Sequence, residues 1–436
     1  MNHAEQILEK IESNQVIVGI IGLGYVGLPL AVNFAEAGVK VIGFDKNQDK
    51  VDRINRGDNY IGDIRDAVLR EVVEKIKLVA TCDFSRIKEC DALLICVPTP
   101  LDIFRKPDMH FIEQACIEIG LNMKSGTFIS LESTTYPTTT EDFMLPIIEK
   151  ESGLRHGTDF WLAFSPERVD PGNKSFHTRN TPKVLGAMTE EGLKIGEKLY
   201  SKAIEKIHLV SSPRVAEMVK ILENTYRLVN ISLINELALL AGKMDINIWE
   251  VIEAAKTKPF GFQAFYPGPG IGGHCIPLDP FYLEHIAKKF DFDLSMIHTA
   301  GHINMRMPHY MYIKIATALN KHKKSVNGSK ILFLGVAYKP DIDDERESPA
   351  LEIMDEVINK GGVVSYNDPH IPNVKTHHGH QFKSIDLSIE NLASQDVVVT
   401  TTNHSVYDIE FISKHAKLIV DLRNMIKIGA ANVYKL

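Results

Sequence analysis

The chain has 436 residues, of which 44% are hydrophobic and 24% are charged. This length exceeds what one hydrophobic core usually needs, so two or three domains are expected, and the composition argues against extended disorder. A formal net charge of -7 argues against a nucleic-acid partner, since proteins that bind nucleic acid usually carry an excess of Lys and Arg over Asp and Glu. The five cysteines show neither metal-type nor disulfide-type spacing, so the predicted location is a reducing cytoplasm.

The amino-terminal region contains no predicted signal peptide or membrane span. Its first fifteen residues carry acidic side chains and predict a short amphipathic helix. Residues Val16 to Ala35 are uncharged and long enough to cross a bilayer, but their glycines and Pro29 would weaken one continuous helix. We therefore expect a buried strand, a tight turn and a new helix here.

The first 211 residues predict a doubly wound domain. Val16 to Ile21 and Val39 to Phe44 are predicted as parallel strands, joined by a helix over Leu28 to Ala37 that stops at Gly38. Further strand-like runs follow, separated by helix-like stretches, at Ala92 to Val97, Thr127 to Leu131 and Phe160 to Phe164. The boundary of this predicted domain is 1–211.

Residues 212–318 are predicted to form a central helical domain. From Pro213 to Met244, apolar residues recur at helical spacing, including Val215, Met218, Val219, Leu222, Tyr226 and Val229. The apolar content is larger than one face of a helix needs, because it continues through Ile231, Leu233, Leu237 and Leu240. The helix is expected either between domains or at a subunit interface.

Residues 319–436 predict a second α/β domain. The polar stretch Asn320 to Lys330 precedes a strand over Ile331 to Val336 and a helix over Ser348 to Asn359. Further strands are predicted at Val363 to Tyr366, Val397 to Thr401 and Leu418 to Asp421. The predicted fold class is α/β, with an N-terminal Rossmann domain, a central long-helix domain and a C-terminal Rossmann-like α/β domain.

A dinucleotide-binding fingerprint follows the first predicted strand. Gly22 permits a tight turn, Gly24 lets a pyrophosphate approach the backbone, and Gly27 lets the helix and strand pack closely. Asp45 ends the next strand, where a carboxylate accepts from the adenosine ribose hydroxyls and repels a 2′-phosphate. NAD is therefore the predicted cofactor, although Lys50 and its neighbour Lys46 weaken the case against NADP.

A loop rich in glycine and proline, Gly270 to Pro280, carries a thiol and a carboxylate four residues apart, Cys275 and Asp279. A thiol beside glycine amides and His274 can act as a nucleophile. The commoner alternative for a cysteine is a small buried hydrophobic residue, and we expect it for Cys82, Cys90, Cys96 and Cys116.

Lys220 and Asn224 are four residues apart on the predicted long helix, so they project from the same face. Both could reach a bound substrate. Spacing alone favours the alternative of a solvated helix face.

The order and spacing of several motifs resemble the UDP-glucose/GDP-mannose dehydrogenase family over nearly the whole chain. The matching segments are Gly22 to Gly27, Val97 to Pro100, Ser133-Thr134, Ser165 to Arg168, Glu223 to Arg227, the Cys275 loop and Tyr338 to Asp341. The resemblance implies NAD-binding, central helical and UDP-binding domains, with a homodimer formed through the central helices. It also implies the four-electron oxidation of the C6 hydroxymethyl of a UDP-linked sugar.

The resemblance further implies the roles of individual residues. The catalytic set is Cys275 as the nucleophile with Lys220, Asn224, Asp279, Glu167 and Thr134. The cofactor-binding set is Gly22, Gly24, Tyr25, Val26, Gly27, Asp45, Lys50, Thr99 and Thr134. The substrate-binding set is Glu167, Arg168, Lys220, Asn224, Tyr266, Gly272, Lys339 and Arg346. The alternative for Lys339 and Arg346 is a structural pair with Asp341, Asp343 or Asp344.

The expected substrate depends on one departure from the family. Glucose-specific members typically carry Asn-Pro-Glu-Phe where this chain has Ser165-Pro166-Glu167-Arg168. The segment looks like the branch that oxidises UDP-N-acetylhexosamines, so UDP-N-acetylglucosamine is expected. UDP-N-acetylmannosamine and UDP-glucose remain alternatives. More distant alternatives are a single-step hydroxy-acid dehydrogenase, which has no need of Cys275, and a non-enzymatic NAD-sensing scaffold.

Four histidines, His370, His377, His378 and His380, suggest a metal site. They lie in a polar stretch without thiol or carboxylate partners at familiar spacing, so we predict no metal.

Overall fold

The computed structural model describes residues 2–62, 64–102, 106–170, 172–173, 175–273, 275–427 and 431–436, and it describes Cys275 by its backbone. The chain forms two compact units. The first is Met1–Glu223 with Phe281–Asp291, and the second is Asn224–Pro280 with Phe292–Leu436.

The first unit alternates strands and helices. Its strands are β1 (Ile17–Ile21), β2 (Lys40–Phe44), β3 (Leu78–Thr81), β4 (Ala92–Ile95), β5 (Thr127–Leu131), β6 (Phe160–Phe164), β7 (Lys183–Ala187) and β8 (Ile207–Val210). Its helices are α1 (His3–Glu12), α2 (Gly27–Glu36), α3 (Gln48–Asn55), α4 (Asp66–Glu74), α5 (His110–Asn122), α6 (Leu145–Ser152) and α7 (Glu190–Tyr200). A 3₁₀ segment (Phe84–Glu89) and a π-helical segment (Thr139–Met144) complete it.

The strands of the first unit form one eight-stranded sheet in the order β3-β2-β1-β4-β5-β6-β7-β8. All of its pairs are parallel except β6 with β7, which is antiparallel. The first six strands in chain order follow the 3-2-1-4-5-6 order of a dinucleotide-binding domain. The strand order reverses between β1 and β4, which is where such sheets bind their ligands.

Both faces of this sheet are buried, which explains why its strands are continuous apolar runs rather than alternating ones. Val18 and Ile20 of β1 face one hydrophobic core, while Ile21 faces the other. Helix α1 begins with a capping box in which Asn2 and Glu5 exchange hydrogen bonds, and Ile7 and Ile11 bury its apolar side. The predicted amphipathic helix at the amino terminus is therefore confirmed.

Four helices form the middle of the chain: α8 (Pro213–Lys243), α9 (Ile248–Lys256), α10 (Cys275–Ala287) and α11 (Ser295–Lys321). A short 3₁₀ segment, Lys288–Phe290, follows α10. Helices α8 and α10 each contribute residues to both compact units. None of the helices within the described ranges is long and apolar enough to cross a membrane.

The last part of the chain is a second α/β sheet within the second unit. Its strands are β9 (Lys330–Leu334), β10 (Val363–Asn367), β11 (Asn373–Lys375), β12 (Gln381–Lys383), β13 (Val397–Thr400), β14 (Ile419–Asp421) and β15 (Val433–Lys435). Its helices are α12 (Pro349–Asn359), α13 (Ile389–Ser394) and α14 (Ile409–His415). Five strands form a parallel sheet in the order β10-β9-β13-β14-β15, and β11 pairs with β12 in a separate hairpin.

The predicted fold class is confirmed: two Rossmann-like α/β regions flank a helical region. Element bounds differ from the predicted ones by one or two residues, as at β4, which ends at Ile95 rather than Val97. The domain boundaries 1–211, 212–318 and 319–436 remain predictions, because the compact units divide helices α8 and α10 between them.

Candidate active site

The glycine fingerprint forms a tight turn between β1 and α2. Gly22 has a φ of +92°, and a Cβ on it would lie 2.6 Å from the carbonyl oxygen of Cys96. A Cβ on Gly27 would collide with the carbonyl oxygen of Gly22. Nothing lies within 4 Å of the position where Gly24 would carry a Cβ, so a ligand can approach the backbone there. The turn thus has the shape that a dinucleotide pyrophosphate requires.

Asp45 lies directly after β2 and touches the same turn. Its carboxylate accepts from the Leu23 N–H (3.0 Å) and from the Asn47 N–H (2.9 Å). The ammonium of Lys50 is 3.7 Å from the carboxylate. Asp45 therefore lies beside the fingerprint and Lys50 pairs with it, while their contact with NAD remains a prediction.

The remaining predicted cofactor residues follow α2 and neighbouring strands of the sheet. Tyr25 is 49% exposed, and Val26 precedes α2 as its N-cap residue. Thr99 follows β4 and Thr134 follows β5, and both are half-buried. The Ser133 hydroxyl donates to the Val97 carbonyl oxygen (2.7 Å), which joins the two loops that carry these threonines.

Glu167 and Arg168 follow β6 and make specific contacts in the first unit. Glu167 Oε1 accepts from the backbone N–H groups of Arg168 (2.8 Å) and Val169 (2.9 Å). The Arg168 guanidinium donates to Glu223 Oε1 (2.5 Å) and to the Pro182 carbonyl oxygen (2.7 Å). The structure thus gives Arg168 partners within the protein, and its contact with substrate remains a prediction.

Lys220 is buried on α8, and its ammonium donates to the Glu167 carbonyl oxygen (2.8 Å). A solvated helix face, the alternative that spacing favoured for this position, is therefore wrong. Asn224, one turn later, is also buried and donates from Nδ2 to Asp279 Oδ2 (2.5 Å) within the second unit. Lys and Asn side chains are seldom buried, and this helix has one of each, four residues apart.

The loop of residues 268–273 in the second unit is held by hydrogen bonds that its own backbone N–H groups donate. The Gly268 N–H donates to Asn235 Oδ1 (3.0 Å), the Ile271 N–H to Asn304 Oδ1 (2.7 Å) and the Gly273 N–H to the Arg346 carbonyl oxygen (3.0 Å).

The glycine loop then leads directly into α10. A Cβ on Gly272 would lie 2.6 Å from Tyr338 Cβ, so glycine is required there for packing. Cys275 is the first residue of α10, and its side chain and all of His274 lie outside the described residues.

The three predicted UDP-sugar residues outside the glycine loop differ in their surroundings. The Tyr266 ring stacks on Trp249, and its hydroxyl donates to Glu253 Oε1 (2.7 Å). Arg346 donates to the Asp344 carboxylate from Nε (2.9 Å) and Nη2 (2.6 Å), which is the structural pair considered as an alternative. Lys339 is half-buried on the loop after β9.

Arg423 is a candidate functional residue that the sequence analysis missed. Its Nε donates to the Thr401 carbonyl oxygen (2.8 Å), and its guanidinium lies against Gly268. No carboxylate in the described part of the chain pairs with it, and burial lowers its pKa to about 10. A half-buried guanidinium without a carboxylate partner is suited to bind an anion. Only its place just after β14, in Asp421-Leu422-Arg423, could have indicated this from the sequence.

The four cysteines assigned to the core are inert by their surroundings. Cys90, Cys96 and Cys116 are buried, and Cys82 is half-buried. Burial raises the pKa of Cys90 to about 12 and that of Cys96 well above its usual value. A thiol in such surroundings is a poor nucleophile.

One of the four histidines lies near carboxylates. Potential ligand atoms of His370, Asp341 and His404 lie within 4.8 Å of one another. The Asp341 N–H donates to His404 Nδ1 (3.0 Å), so Nε2 carries the proton and donates to Asp368 Oδ2 (3.0 Å). Both ring nitrogens of His404 therefore bond within the protein, whereas His370 Nε2 is buried without a hydrogen-bond partner among the described residues. The prediction of no metal is retained.

Three family domains match consecutive parts of the chain. The NAD-binding domain of the UDP-glucose/GDP-mannose dehydrogenase family matches residues 16–204, its central domain 214–306 and its UDP-binding domain 332–428. The chain belongs to this family. NAD is its cofactor, and it is an oxidoreductase that acts on a UDP-sugar.

Individual relatives match over almost their whole length. The chain is 36% identical to UDP-N-acetyl-D-mannosamine dehydrogenase of Pyrococcus horikoshii, over 94% of this chain and 96% of the relative. It is 33% identical to UDP-N-acetyl-D-glucosamine 6-dehydrogenase of Pseudomonas aeruginosa, over 94% of this chain and 97% of the relative. The solved structure of a UDP-D-ManNAc dehydrogenase from Pyrococcus horikoshii superposes with a TM-score of 0.88 at 35% identity, covering 96% of this chain and 99% of that one.

Two of the three fingerprint glycines, Gly27 and Gly24, should respond differently to substitution by alanine. Gly27→Ala should destabilise the fold by about 1–3 kcal/mol, because its methyl group collides with the Gly22 backbone. Gly24→Ala should change stability by less than about 0.5 kcal/mol, because its methyl group meets open space.

In calorimetric titration Gly24→Ala should nevertheless weaken NAD binding by at least about ten-fold, a loss of about 1.4 kcal/mol. Thermal unfolding without NAD supplies the stability comparison. Wild-type NAD affinity in the Gly24→Ala variant would contradict this placement of the pyrophosphate.

Proposed function

We propose that this enzyme oxidises the C6 hydroxymethyl of a UDP-N-acetylhexosamine to a carboxylate, using Cys275 as a covalent nucleophile. The observation that carries the proposal is the arrangement on α10: Cys275 begins the helix, and Asp279, one turn later, bonds to the buried Asn224. A helix amino terminus favours an anion, which supports a thiolate at this position. A single-step hydroxy-acid dehydrogenase has no use for such a thiol.

The overall reaction consumes one sugar, one water and two NAD, and yields the uronate, two NADH and three protons. NAD, when bound at the fingerprint, accepts one hydride from the substrate in each oxidation. The thiolate of Cys275 adds to the C6 aldehyde carbon, so that a hemithioacetal forms and then becomes a thioester. Water cleaves the carbon–sulfur bond of the thioester, which releases the acid and returns the thiolate.

The other catalytic residues serve charge and proton transfer. Lys220 and Asn224 stabilise the oxyanions of the tetrahedral species, and one such donor is worth about 2.7–4 kcal/mol in the transition state. Thr134, Lys220 and Asp279 position the water that takes the hydroxyl proton in the first oxidation. Glu167 activates the water that cleaves the thioester, with Asp279 as the second candidate. The burial of Lys220, Asn224 and Asp279 supports these roles, because buried polar groups are retained for specific partners.

The UDP group is assigned to residues of the second unit. Tyr266, Gly272, Lys339 and Arg346 are the predicted contacts, and we add Arg423 because no carboxylate of the described residues pairs with its guanidinium. A diphosphate would supply the charge that this arginine needs. Arg346 can contribute only if its pair with Asp344 is shared with the ligand or broken.

For the sugar, we propose UDP-N-acetyl-D-glucosamine, the substrate expected from Arg168. A relative of 33% identity named UDP-N-acetyl-D-glucosamine 6-dehydrogenase supports this choice. UDP-N-acetyl-D-mannosamine is the second candidate, because a relative of 36% identity carries that name. We propose that the acid formed supplies surface polysaccharide synthesis.

The sugar assignment is tested by measuring kcat/KM for UDP-N-acetylglucosamine, UDP-N-acetylmannosamine and UDP-glucose from the rate of NADH absorbance. We expect the first to exceed UDP-glucose by at least about 100-fold, since an unfilled acetamide site loses a few kcal/mol of binding. A higher value for the mannosamine epimer would replace the substrate. Preference for UDP-glucose would remove the N-acetylhexosamine class.

We also propose that the enzyme is a homodimer formed through α8. One stripe of this helix exposes apolar side chains at intervals of three, four or seven residues, namely Val215, Met218, Leu222, Tyr226, Leu233, Leu237 and Leu240, and the exposed Met244 follows directly after the helix. A continuous apolar stripe on a long helix is a typical subunit contact. A second copy of the chain fits it, because two such helices can pack against each other by the same stripe.

If the dimer forms through α8, the double variant Leu233→Arg/Leu237→Arg should be a monomer. Its dimer dissociation constant should rise by at least about 100-fold, because two cations would be buried at the contact. Sedimentation velocity measures the mass, and Lys194→Glu, an exposed change on α7, is the control and should stay dimeric. A wild-type chain that sediments at 48.8 kDa at micromolar concentration would contradict the proposal.

A further inference from the structure

The segment that carries Glu167 is joined to the start of β7 by side chains rather than by a backbone ladder. The antiparallel pairing of β6 with β7 covers only Ala163 with Ala187 and Phe164 with Gly186. Two residues beyond Phe164 comes Pro166, which has no N–H to donate to a ladder.

Three side-chain hydrogen bonds continue the connection beyond the ladder. The Ser165 hydroxyl donates to the Val184 carbonyl oxygen (2.8 Å), and Lys183 Nζ donates to that of Pro166 (3.3 Å). Arg168 Nη1 donates to the Pro182 carbonyl oxygen (2.7 Å). These bonds run in both directions between the two segments, so the position of Glu167 depends on them.

Lys183 is the central one of these side chains and is only 4% exposed. Its ammonium lies 2.6 Å from Glu132 Oε2 and 3.9 Å from Glu167 Oε2. Glu132 directly follows β5 and also accepts a hydrogen bond from the Tyr200 hydroxyl. One buried cation is thus shared between a fully buried carboxylate and the carboxylate assigned to thioester hydrolysis.

The charges within this cluster are interdependent. Burial raises the pKa of Glu132, although Lys183 opposes the effect. Burial alone would lower the pKa of Lys183, but the carboxylates of Glu132 and Glu167 raise it above its usual value. Lys183 is therefore a cation at neutral pH. A buried ion pair is weak evidence for stability, so its retention in this place calls for another reason.

Glu167 has its two carboxylate oxygens in different surroundings. Oε1 is occupied by the N–H groups of Arg168 and Val169, and the Glu167 carbonyl oxygen accepts from Lys220. Oε2 faces the ammonium of Lys183 at 3.9 Å, too far for a hydrogen bond. This leaves Oε2 as the oxygen that can accept a proton from water, at a place fixed by a neighbouring cation.

We propose that Lys183, anchored by Glu132, is a positioning residue that holds Glu167 for hydrolysis of the thioester. This inference rests on the proposed function. In that step water adds to the thioester carbonyl carbon and gives a proton to Glu167 Oε2. The carbon–sulfur bond then breaks and the electron pair leaves with the Cys275 thiolate. Lys183 touches none of the reacting atoms.

The test compares Glu167→Gln with the double variant Lys183→Met/Glu132→Gln. The double variant removes both charges of the buried pair together and retains an acceptor for Tyr200, so no buried charge is left alone. Lys183→Arg retains the cation. Lys198→Met, an exposed change on α7, is the matched control and should behave as the wild type.

The measurements are stopped-flow NADH formation and the intact mass of the enzyme during turnover. The double variant should release two NADH per active site in a rapid burst, turn over about 10- to 100-fold more slowly afterwards, and accumulate the acyl group on Cys275. Lys183→Arg keeps the cation and, unlike the double variant, should show neither the burst nor the accumulated acyl mass. Thermal unfolding establishes that each variant is folded.

The outcomes separate this inference from the proposed function. A folded double variant that slows without a burst or an acyl mass, while Glu167→Gln accumulates the acyl enzyme, would overturn the role of Lys183 alone. If Glu167→Gln also accumulates nothing while the wild type releases two NADH per sugar, Glu167 is not the base and the inference falls with that assignment. A wild type that releases one NADH per sugar removes the thioester and with it both proposals.

Discussion

The parallel direction of most strands in its sheet organises the first unit. Because β1, β2, β4, β5 and β6 run parallel, their carboxyl ends meet at the same edge of the sheet, and the chain must leave each strand there. The fingerprint turn, Asp45, Thr99, Thr134 and Glu167 each follow one of these strands. A cofactor-binding edge is therefore a consequence of topology, and the glycines only adapt it to a pyrophosphate.

The antiparallel strand β7 breaks this regularity and has a chemical consequence. Because β7 runs antiparallel to β6, its first residue, Lys183, lies beside the carboxyl end of β6. In a parallel strand, the last residue would lie there instead. In the second unit, side-chain amides fix the backbone: the amide oxygens of Asn235 and Asn304 accept from N–H groups of the glycine loop that leads to Cys275. In both units the backbone near the proposed chemistry is fixed by polar side chains from neighbouring elements rather than by regular secondary structure.

Features that depend on local sequence could be predicted, whereas tertiary pairings could not. The fingerprint, Asp45 and the long helix α8 follow from glycine spacing and apolar periodicity, and the structure has them where they were expected. Nothing in the sequence indicated that Glu132 would meet Lys183, since 51 positions separate them and each resembles an ordinary surface charge. The proximity of His370 to Asp341 could not be predicted either, because 29 positions separate them and only the fold brings them together.

The covalent role of Cys275 is the central claim, and the amount of NADH formed per sugar consumed tests it most directly. The wild type should form two NADH per UDP-N-acetylhexosamine and release the uronate. Cys275→Ser should form no net acid and at most one NADH per sugar. A serine hydroxyl is a poorer nucleophile than a thiolate, and the alkoxide it would release is a poorer leaving group. A Cys275→Ser enzyme that still forms two NADH per sugar would contradict the account.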